Sequence, residues 1–237
     1  MDERFTVMDC YIFGAAPVGE IPDIPQGNEA GLIIAADAGL ITLKGMNLSP
    51  DIVLGDFDSL GEIPQVRCEI ITHPVEKDDT DMALAADLAV NRGCDRIFML
   101  GGMGGERMDH TIANLQTLSS LAKRGITAFL TDGKSAFTAI SSGSRLTFPP
   151  GYKGDLSVFC ASGYASGVSI RNLYYTLENA TLSSDTPLGV SNSFLTEQLA
   201  KERGAFSEPP EISVETGTLW VYFNCENKPF SNYPSIN

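Results

Sequence analysis

Ile52-Val53-Leu54-Gly55-Asp56-Phe57-Asp58-Ser59 is a short apolar run that stops at a glycine and two carboxylates. A run this brief, closed by glycine, reads as a strand buried on both faces. In the extended turn after it, residues two apart project to the same side, so Asp56 and Asp58 share one patch. Two like charges held that close are costly unless a cation or a shared proton relieves them. Gly55 in front permits the close backbone approach that a phosphate or a metal needs.

The same pattern recurs on either side. Ile33-Ile34-Ala35-Ala36 runs into Asp37, and Ile70-Ile71-Thr72 leads after a short turn to Lys77-Asp78-Asp79-Thr80-Asp81. Met99-Leu100 runs into Gly101-Gly102-Met103-Gly104-Gly105-Glu106-Arg107-Met108-Asp109-His110. Helical spacing predicts helices over Thr80–Arg92 and Met108–Lys123, closed by Gly93 and Gly125. Further strands are expected at Val7–Phe13 and Thr127–Leu130. Strands alternating with helices predict an α/β fold, a mostly parallel, Rossmann-like sheet flanked by helices. The four acid-bearing turns then share the carboxyl edge of that sheet, where such folds bind ligands.

Around Lys134–Ser144 the character changes to short alternating runs punctuated by Gly, Pro, Ser and Asn. Arg145–Phe148, Leu156–Phe159, Val168–Ile170, Ile212–Val214 and Leu219–Phe223 predict a smaller antiparallel β-sandwich, with at most a turn or two of helix over Phe194–Glu202. The expected division is a catalytic α/β domain over 1–138 and a sandwich over 139–237. Lys228–Asn237 reads as a loose tail.

The chain carries 16 basic against 30 acidic side chains, a net charge of -14, and has no Lys/Arg cluster. That excludes the basic footprint of a nucleic-acid binder. An acidic protein still binds polyphosphate when metal ions sit between its carboxylates and the phosphate oxygens. The five scattered cysteines form no C-x-x-C pair, so reduced thiols acting as small core residues are expected. The start lacks a secretory signal and no apolar run is long enough to span a bilayer, which predicts a cytoplasmic protein with no membrane partner.

Several acids have a purely structural alternative. Asp37 reads either as a site residue or as the start of the next helix. Asp78 with Asp81 reads either as ligand-binding or as an N-cap and N3 pair complementing the helix dipole. Asp109 either caps the next helix or holds Arg107. His110, in a first helical turn, reads equally as a neutral hydrogen-bonding residue or a site residue. The glycine-rich turn fails the P-loop pattern, and Arg107 occupies the third-glycine position of the dinucleotide fingerprint. What remains, backbone N–H groups at a helix start beside an arginine fork, suits a phosphate oxygen.

Taken together the segments resemble a known family. Asp51 through Ser59 resembles the D-x-x-x-G-D-F-D-S signature of thiamine pyrophosphokinases, and Lys77–Asp81 their K-D-x-T-D. Arg107-Met108-Asp109-His110 with Asn114 resembles their R-x-D-H-x-x-x-N, and Ala36-Asp37-Ala38-Gly39 their A-D-G-G. Gly189-Val190-Ser191-Asn192 resembles the G-x-S-N of the second domain. Ala38 departs from glycine, and around Gly104–Arg107 the chain either carries one extra residue or has Glu106 in a position often held by glycine.

The resemblance implies ATP and thiamine as substrates, a magnesium cofactor and a homodimer with thiamine near the subunit interface. It implies Asp56, Asp58, Asp78 and Asp81 as magnesium and phosphate residues, with Asp56, Asp58 and Asp81 the metal ligands. Asp37, Gly55, Gly102, Arg107, Asp109, His110 and Asn114 fall on the nucleotide, Ser191 and Asn192 on thiamine. Trp220 is expected to be an exposed apolar residue available to an interface. The expected chemistry is transfer of a diphosphate from ATP to the thiamine hydroxyl, with Asp81 or Asp78 taking the proton. The alternatives are a pyrophosphokinase acting on another alcohol such as a pterin, a nucleotide-binding regulatory module without turnover, and a metal-dependent phosphohydrolase.

Overall fold

The computed structural model describes residues 8–25, 31–56, 67–72, 79–205, 208–226 and 228–237. These fall into two compact units, one running as far as Thr117 and taking back Ala128–Asp132, the other made of Leu118–Thr127 and Gly133–Asn237.

The first unit is built on β1 (Asp9–Phe13), β2 (Leu32–Ala36), β3 (Ile52–Gly55), β4 (Glu69–Thr72), β5 (Arg96–Leu100) and β6 (Thr127–Thr131), in the spatial order β6-β5-β1-β2-β3-β4. β1 pairs in parallel with both β2 and β5, with Tyr11 opposite Ile33 and Phe98. β2–β3 and β3–β4 are also parallel. Helices α1 (Gly39–Gly45), α2 (Asp81–Asn91) and α3 (Met108–Lys123) intervene in the chain. The apolar runs are buried because parallel strands are covered on both faces; Cys10, Ile12, Phe13, Ile34, Val53 and Phe98 are inaccessible to solvent. The four-residue edge strand β4 is instead largely exposed. Phe98 stacks on Tyr11 and on Phe129, at 5.3 and 5.4 Å between ring centres.

In the second unit, β7 (Ser135–Ser141), β9 (Asp155–Cys160), β12 (Gly189–Ser193) and β14 (Thr218–Asn224) form one antiparallel sheet in the order β12-β9-β14-β7. A second sheet has the order β11-β10-β13-β8-β15, from β8 (Arg145–Thr147), β10 (Tyr164–Arg171), β11 (Leu177–Ser183), β13 (Glu211–Ser213) and β15 (Ser235–Ile236). Phe223 of the first sheet meets Phe148, which follows β8, at 5.3 Å. Two sheets joined through an aromatic core make the expected antiparallel architecture. A short helix, α4 (Glu197–Glu202), follows β12.

The end of the chain differs from expectation. Lys228–Asn237 is an integral part of the unit: Phe230 and Tyr233 are buried and β15 pairs with β8. Two aromatic residues in ten supply enough apolar area to fix a segment whose polar composition reads as a tail. All five cysteines are free thiols, and four of them are buried. Among the described residues no helix is long and apolar enough to cross a membrane.

Candidate active site

The strand order places β1 where the sheet reverses direction: the chain proceeds to β2, β3 and β4 on one side, then crosses to β5 on the other. Loops leaving the carboxyl ends of β1 and its two neighbours therefore diverge and leave a crevice. A cleft of about 710 Å³ occupies that edge. It is lined by Gly14–Pro17 after β1, Asp37 after β2, Asp56 after β3, Thr80–Met82 at the start of α2, and the turn from Gly101 to Arg107 with His110 and Asn114.

Asp37 is held in a left-handed backbone conformation, φ 47°. Such a conformation is uncommon outside glycine, and Asp tolerates it better than most residues. Its N–H donates to the Leu54 carbonyl at 2.7 Å, tying the turn to β3. Ala38, at φ -63°, is the N-cap of α1 and makes no side-chain cap. Asp37 therefore does not cap the helix, and the alanine is accommodated because the strained φ falls one residue earlier. Gly55 is buried outside the cleft lining, and a Cβ there would lie 3.1 Å from the Asp37 Cα. The room this glycine leaves is filled by the Asp37 backbone.

Thr80, not Asp78, is the N-cap of α2: its Oγ1 accepts from the Ala83 N–H at 3.2 Å. Asp81 is the first helical residue, where its charge complements the dipole. Asp58 and Asp78 lie outside the described residues.

The glycine-rich turn is packed backbone to backbone against the end of β1. The Gly14 N–H donates to the Leu100 carbonyl and the Ala16 N–H to that of Gly101, at 2.7 and 2.9 Å. Gly101 has φ 66°, and a Cβ there would lie 2.6 Å from the Gly14 oxygen. Only glycine meets both demands. α3 begins directly beyond the turn. Asp109 holds Arg107 in a two-pronged pair, Nε to Oδ1 at 3.0 Å and a terminal nitrogen to Oδ2 at 2.8 Å. Both side chains are 66% exposed, and the guanidinium holds the Asp109 carboxyl down at about 2. Asp109 is not itself among the lining residues.

The cleft thus gathers Asp37, Asp56, Asp81, Gly102, Arg107, His110 and Asn114 of the expected set. It also has a wall that sequence reading passed over, Gly14-Ala15-Ala16-Pro17. That stretch carries no charged group, and its one signal is position, since it follows the strand that becomes central.

Ser191 and Asn192 belong to the second unit. Ser191 lies at an irregularity of β12, with φ 62°, and its N–H donates to the Ser157 hydroxyl at 3.2 Å. The buried Asn192 amide is engaged by backbone: Oδ1 accepts from the N–H groups of Tyr175 and Ser193, both at 2.9 Å, and Nδ2 donates to the Tyr175 carbonyl at 2.8 Å. Trp220 is half-buried rather than exposed, its ring N–H donating to the Ser119 hydroxyl at 2.7 Å. Among the described residues of this unit the exposed large apolar ones are instead Tyr164, Tyr174, Tyr175, Leu188 and Val190.

Carboxylates suit a hard divalent ion, and magnesium is typically held by one or two of them with water and substrate phosphates completing its shell. Four carboxylates, those of Asp37, Asp56, Asp81 and Glu106, reach the cleft. Among the described residues no three metal-binding side chains cluster closely enough to hold an ion by themselves. This donor set fits an ion shared with a phosphate ligand.

Residues 27–130 match the thiamin pyrophosphokinase catalytic domain. The thiamine pyrophosphokinase of Bacillus subtilis (strain 168) is 30% identical over 202 residues, covering 83% of this chain and 92% of that protein. Thiamin pyrophosphokinase 1 of Caenorhabditis elegans is 22% identical, over 73% and 75% of the two chains. The crystal structure of the Bacillus subtilis thiamine pyrophosphokinase superposes with a TM-score of 0.74 over 91% of this chain and 98% of that one, at 25% identity. On the strength of a relative this similar along nearly its whole length, the chain belongs to the thiamine pyrophosphokinase family.

Proposed function

We propose that the cleft of the first unit binds ATP with magnesium and transfers its diphosphate to the hydroxyl of thiamine. One observation carries the reading at this site: the N-terminal ends of α2 and α3, an arginine and four carboxylates converge on a single cleft. Helix N-termini and a guanidinium attract phosphate oxygens. Carboxylates on the same wall would repel them unless a cation intervenes, so the mixture itself calls for a metal–polyphosphate ligand.

Asp56 and Asp81, with Asp58 by resemblance, would hold magnesium. When bound, magnesium supplies Lewis-acid neutralisation of the phosphate charge. The thiamine oxygen forms a bond to the β-phosphorus, the bond from that phosphorus to the α–β bridging oxygen breaks, and AMP leaves with the bridging oxygen. The hydroxyl proton passes to Asp81 or Asp78. Arg107 and the α3 N-terminus offset charge on the transferring group, and the glycine turn orients it. Ser191 contacts the acceptor, while Asn192, whose amide is engaged by backbone, braces the bulge that presents it.

The five free thiols suit the reducing cytoplasm. The homodimer of the family reading would use the exposed apolar residues of the second unit, and light scattering at twice the 25.4 kDa chain mass would support it. The test of function is incubation with ATP, magnesium and thiamine. AMP and thiamine diphosphate should appear together and only with thiamine present, and Asp56→Asn should lose at least about a hundredfold in turnover. AMP without thiamine diphosphate would move the acceptor elsewhere, and an Asp56→Asn protein with full turnover would remove the carboxylate from the mechanism.

A further inference from the structure

The turn between β5 and α3 has little conformation of its own. Gly101, Gly104 and Gly105 all have positive φ, at 66°, 74° and 71°. A glycine-rich segment samples more backbone states than any other, so one conformer persists only if outside contacts select it. Two such contacts come from one face of α3. The Thr111 Oγ1 accepts from the Gly104 N–H at 3.0 Å, and the Asn114 Nδ2 donates to the Gly102 carbonyl at 2.6 Å. Three residues apart, the two side chains are neighbours on the helix surface. They are 9% and 3% exposed.

Together these bonds fix the peptide planes on both sides of Met103. In a trans peptide the carbonyl and N–H point in opposite directions, so anchoring the Gly102 carbonyl also aims the Met103 N–H. Anchoring the Gly104 N–H likewise aims the Met103 carbonyl. Gly102 is fitted to the arrangement, since a Cβ there would meet Leu130 Cδ1 at 2.8 Å and Asn114 Nδ2 at 3.0 Å. The donor assignment of Asn114 follows from its partner: a carbonyl accepts, so the amide nitrogen faces it. Among the described residues its buried Oδ1 finds no hydrogen-bond partner. The side chain is thus held in place by the bond to Gly102.

We propose that Thr111 and Asn114 are positioning residues for ATP: they latch the glycine-rich turn, and the latched shape sets nucleotide affinity. The proposal rests on the reading of the cleft as the ATP site. Loss of one bond leaves the turn to sample conformers that do not bind, and apparent affinity falls with the competent fraction.

The experiment is calorimetric titration, with magnesium, of the ATP analogue carrying a methylene between the α- and β-phosphorus, together with steady-state kinetics. Thr111→Val keeps the shape and removes the acceptor; it should weaken analogue binding and raise the KM for ATP about tenfold, the order of one hydrogen bond. Thr111→Ser keeps the hydroxyl and should stay within about twofold of the parent. Asn114→Asp puts an acceptor against the Gly102 carbonyl and should lose at least as much as Thr111→Val. The KM for thiamine should not move. Hydrogen exchange over residues 101–107 should accelerate in Thr111→Val and not in Thr111→Ser.

A merely structural role would lower the melting temperature and leave the affinity of folded protein unchanged. Thr111→Val with parental affinity, or Thr111→Ser failing equally, would overturn the latch. Parent protein that does not bind the analogue would overturn the ATP reading and the latch with it. Should Thr111→Val not fold, Thr111→Ala removes the same acceptor with less crowding and is read in the same way.

Discussion

Arg107 is the one cation lining the cleft among the described residues, and it is tied to Asp109 on the rim. A phosphate oxygen arriving there competes with a carboxylate for the same fork. The Asp109 carboxyl is held down at about 2 by that guanidinium. A depressed carboxyl pKa gives stabilisation that is fully present above the unfolded value, about 3.9, and is lost as pH falls through the folded value. The pair should therefore persist to about pH 2, and any loss of activity between about pH 4 and 6 must come from another group. A carbon-13 NMR titration of Asp109 checks this: Arg107→Ala should return its midpoint towards about 3.9, and an unchanged midpoint would refute the pair in solution. Glu106, exposed on the same wall, adds a charge of the wrong sign for polyphosphate. Glu106→Gln should tighten ATP binding about two- to fivefold at low salt, with the gain shrinking as ionic strength rises. Weaker binding would mean that Glu106 serves the metal instead.

At the scale of elements, what could be read from sequence was the pattern of apolar runs ending in acids, because strand period, burial and turn chemistry act locally. Asp37, Asp56 and Asp81 reach one cleft since parallel strands bring their carboxyl ends to one edge. Less legible were features set by tertiary contact. Thr80 caps α2 although Asp is the stronger capping residue in general, because the cap falls where the chain enters the helix and not where the best capping side chain stands. β11 and β12 escaped prediction because they lie at sheet edges, where β11 exposes Glu178, Asn179 and Thr181 and β12 buries the polar Asn192 while exposing Val190, so neither shows the apolar-in alternation of a half-buried strand. The engagement of Asn192 with the Tyr175 backbone, a long-range contact, leaves no trace in local sequence. The role of Gly14 likewise emerges only when β1 and β5 are neighbours. The close approach of their two ends predicts a specific asymmetry between glycines. Gly93 (φ 89°) and Gly101 (φ 66°) are both left-handed, yet a Cβ meets nothing within 4 Å at Gly93 and meets the Gly14 oxygen at 2.6 Å at Gly101. Alanine at either site incurs the backbone penalty, about 1–2 kcal/mol. Gly101→Ala should cost about 1–3 kcal/mol more, the overpacking increment, and should impair ATP binding as well. Equal urea midpoints for the two variants would show that the β1–β5 turns are not in contact.

Across the whole first unit, function and stability gather at opposite ends of the same strands. The carboxyl edge carries the strained Asp37, positive-φ glycines and converging acids. At the other end, Asp9 and Arg96 at the start of β1 and β5 form a two-pronged, partly buried ion pair at 2.7 and 2.6 Å. Between the two ends Phe98 is stacked in the middle of an aromatic row with Tyr11 and Phe129, fully buried. A ring in that position contributes transfer energy and ring contacts on both faces, and neighbours in a parallel sheet cannot collapse to fill its space. Phe98→Ala should therefore lower stability by about 3–5 kcal/mol. Phe98→Leu, which keeps most of the volume, should lose about half of that. The row does not line the cleft, so whatever fraction of either variant remains folded should bind ATP with the parental affinity. Urea unfolding followed by Tyr and Trp fluorescence, with calorimetric titration well below the transition, separates the two quantities. A Phe98→Ala protein of normal stability would mean the row is loosely packed. Normal stability loss with a raised ATP KM would instead mean that the strand core transmits strain to the carboxyl edge, and that the two ends are coupled.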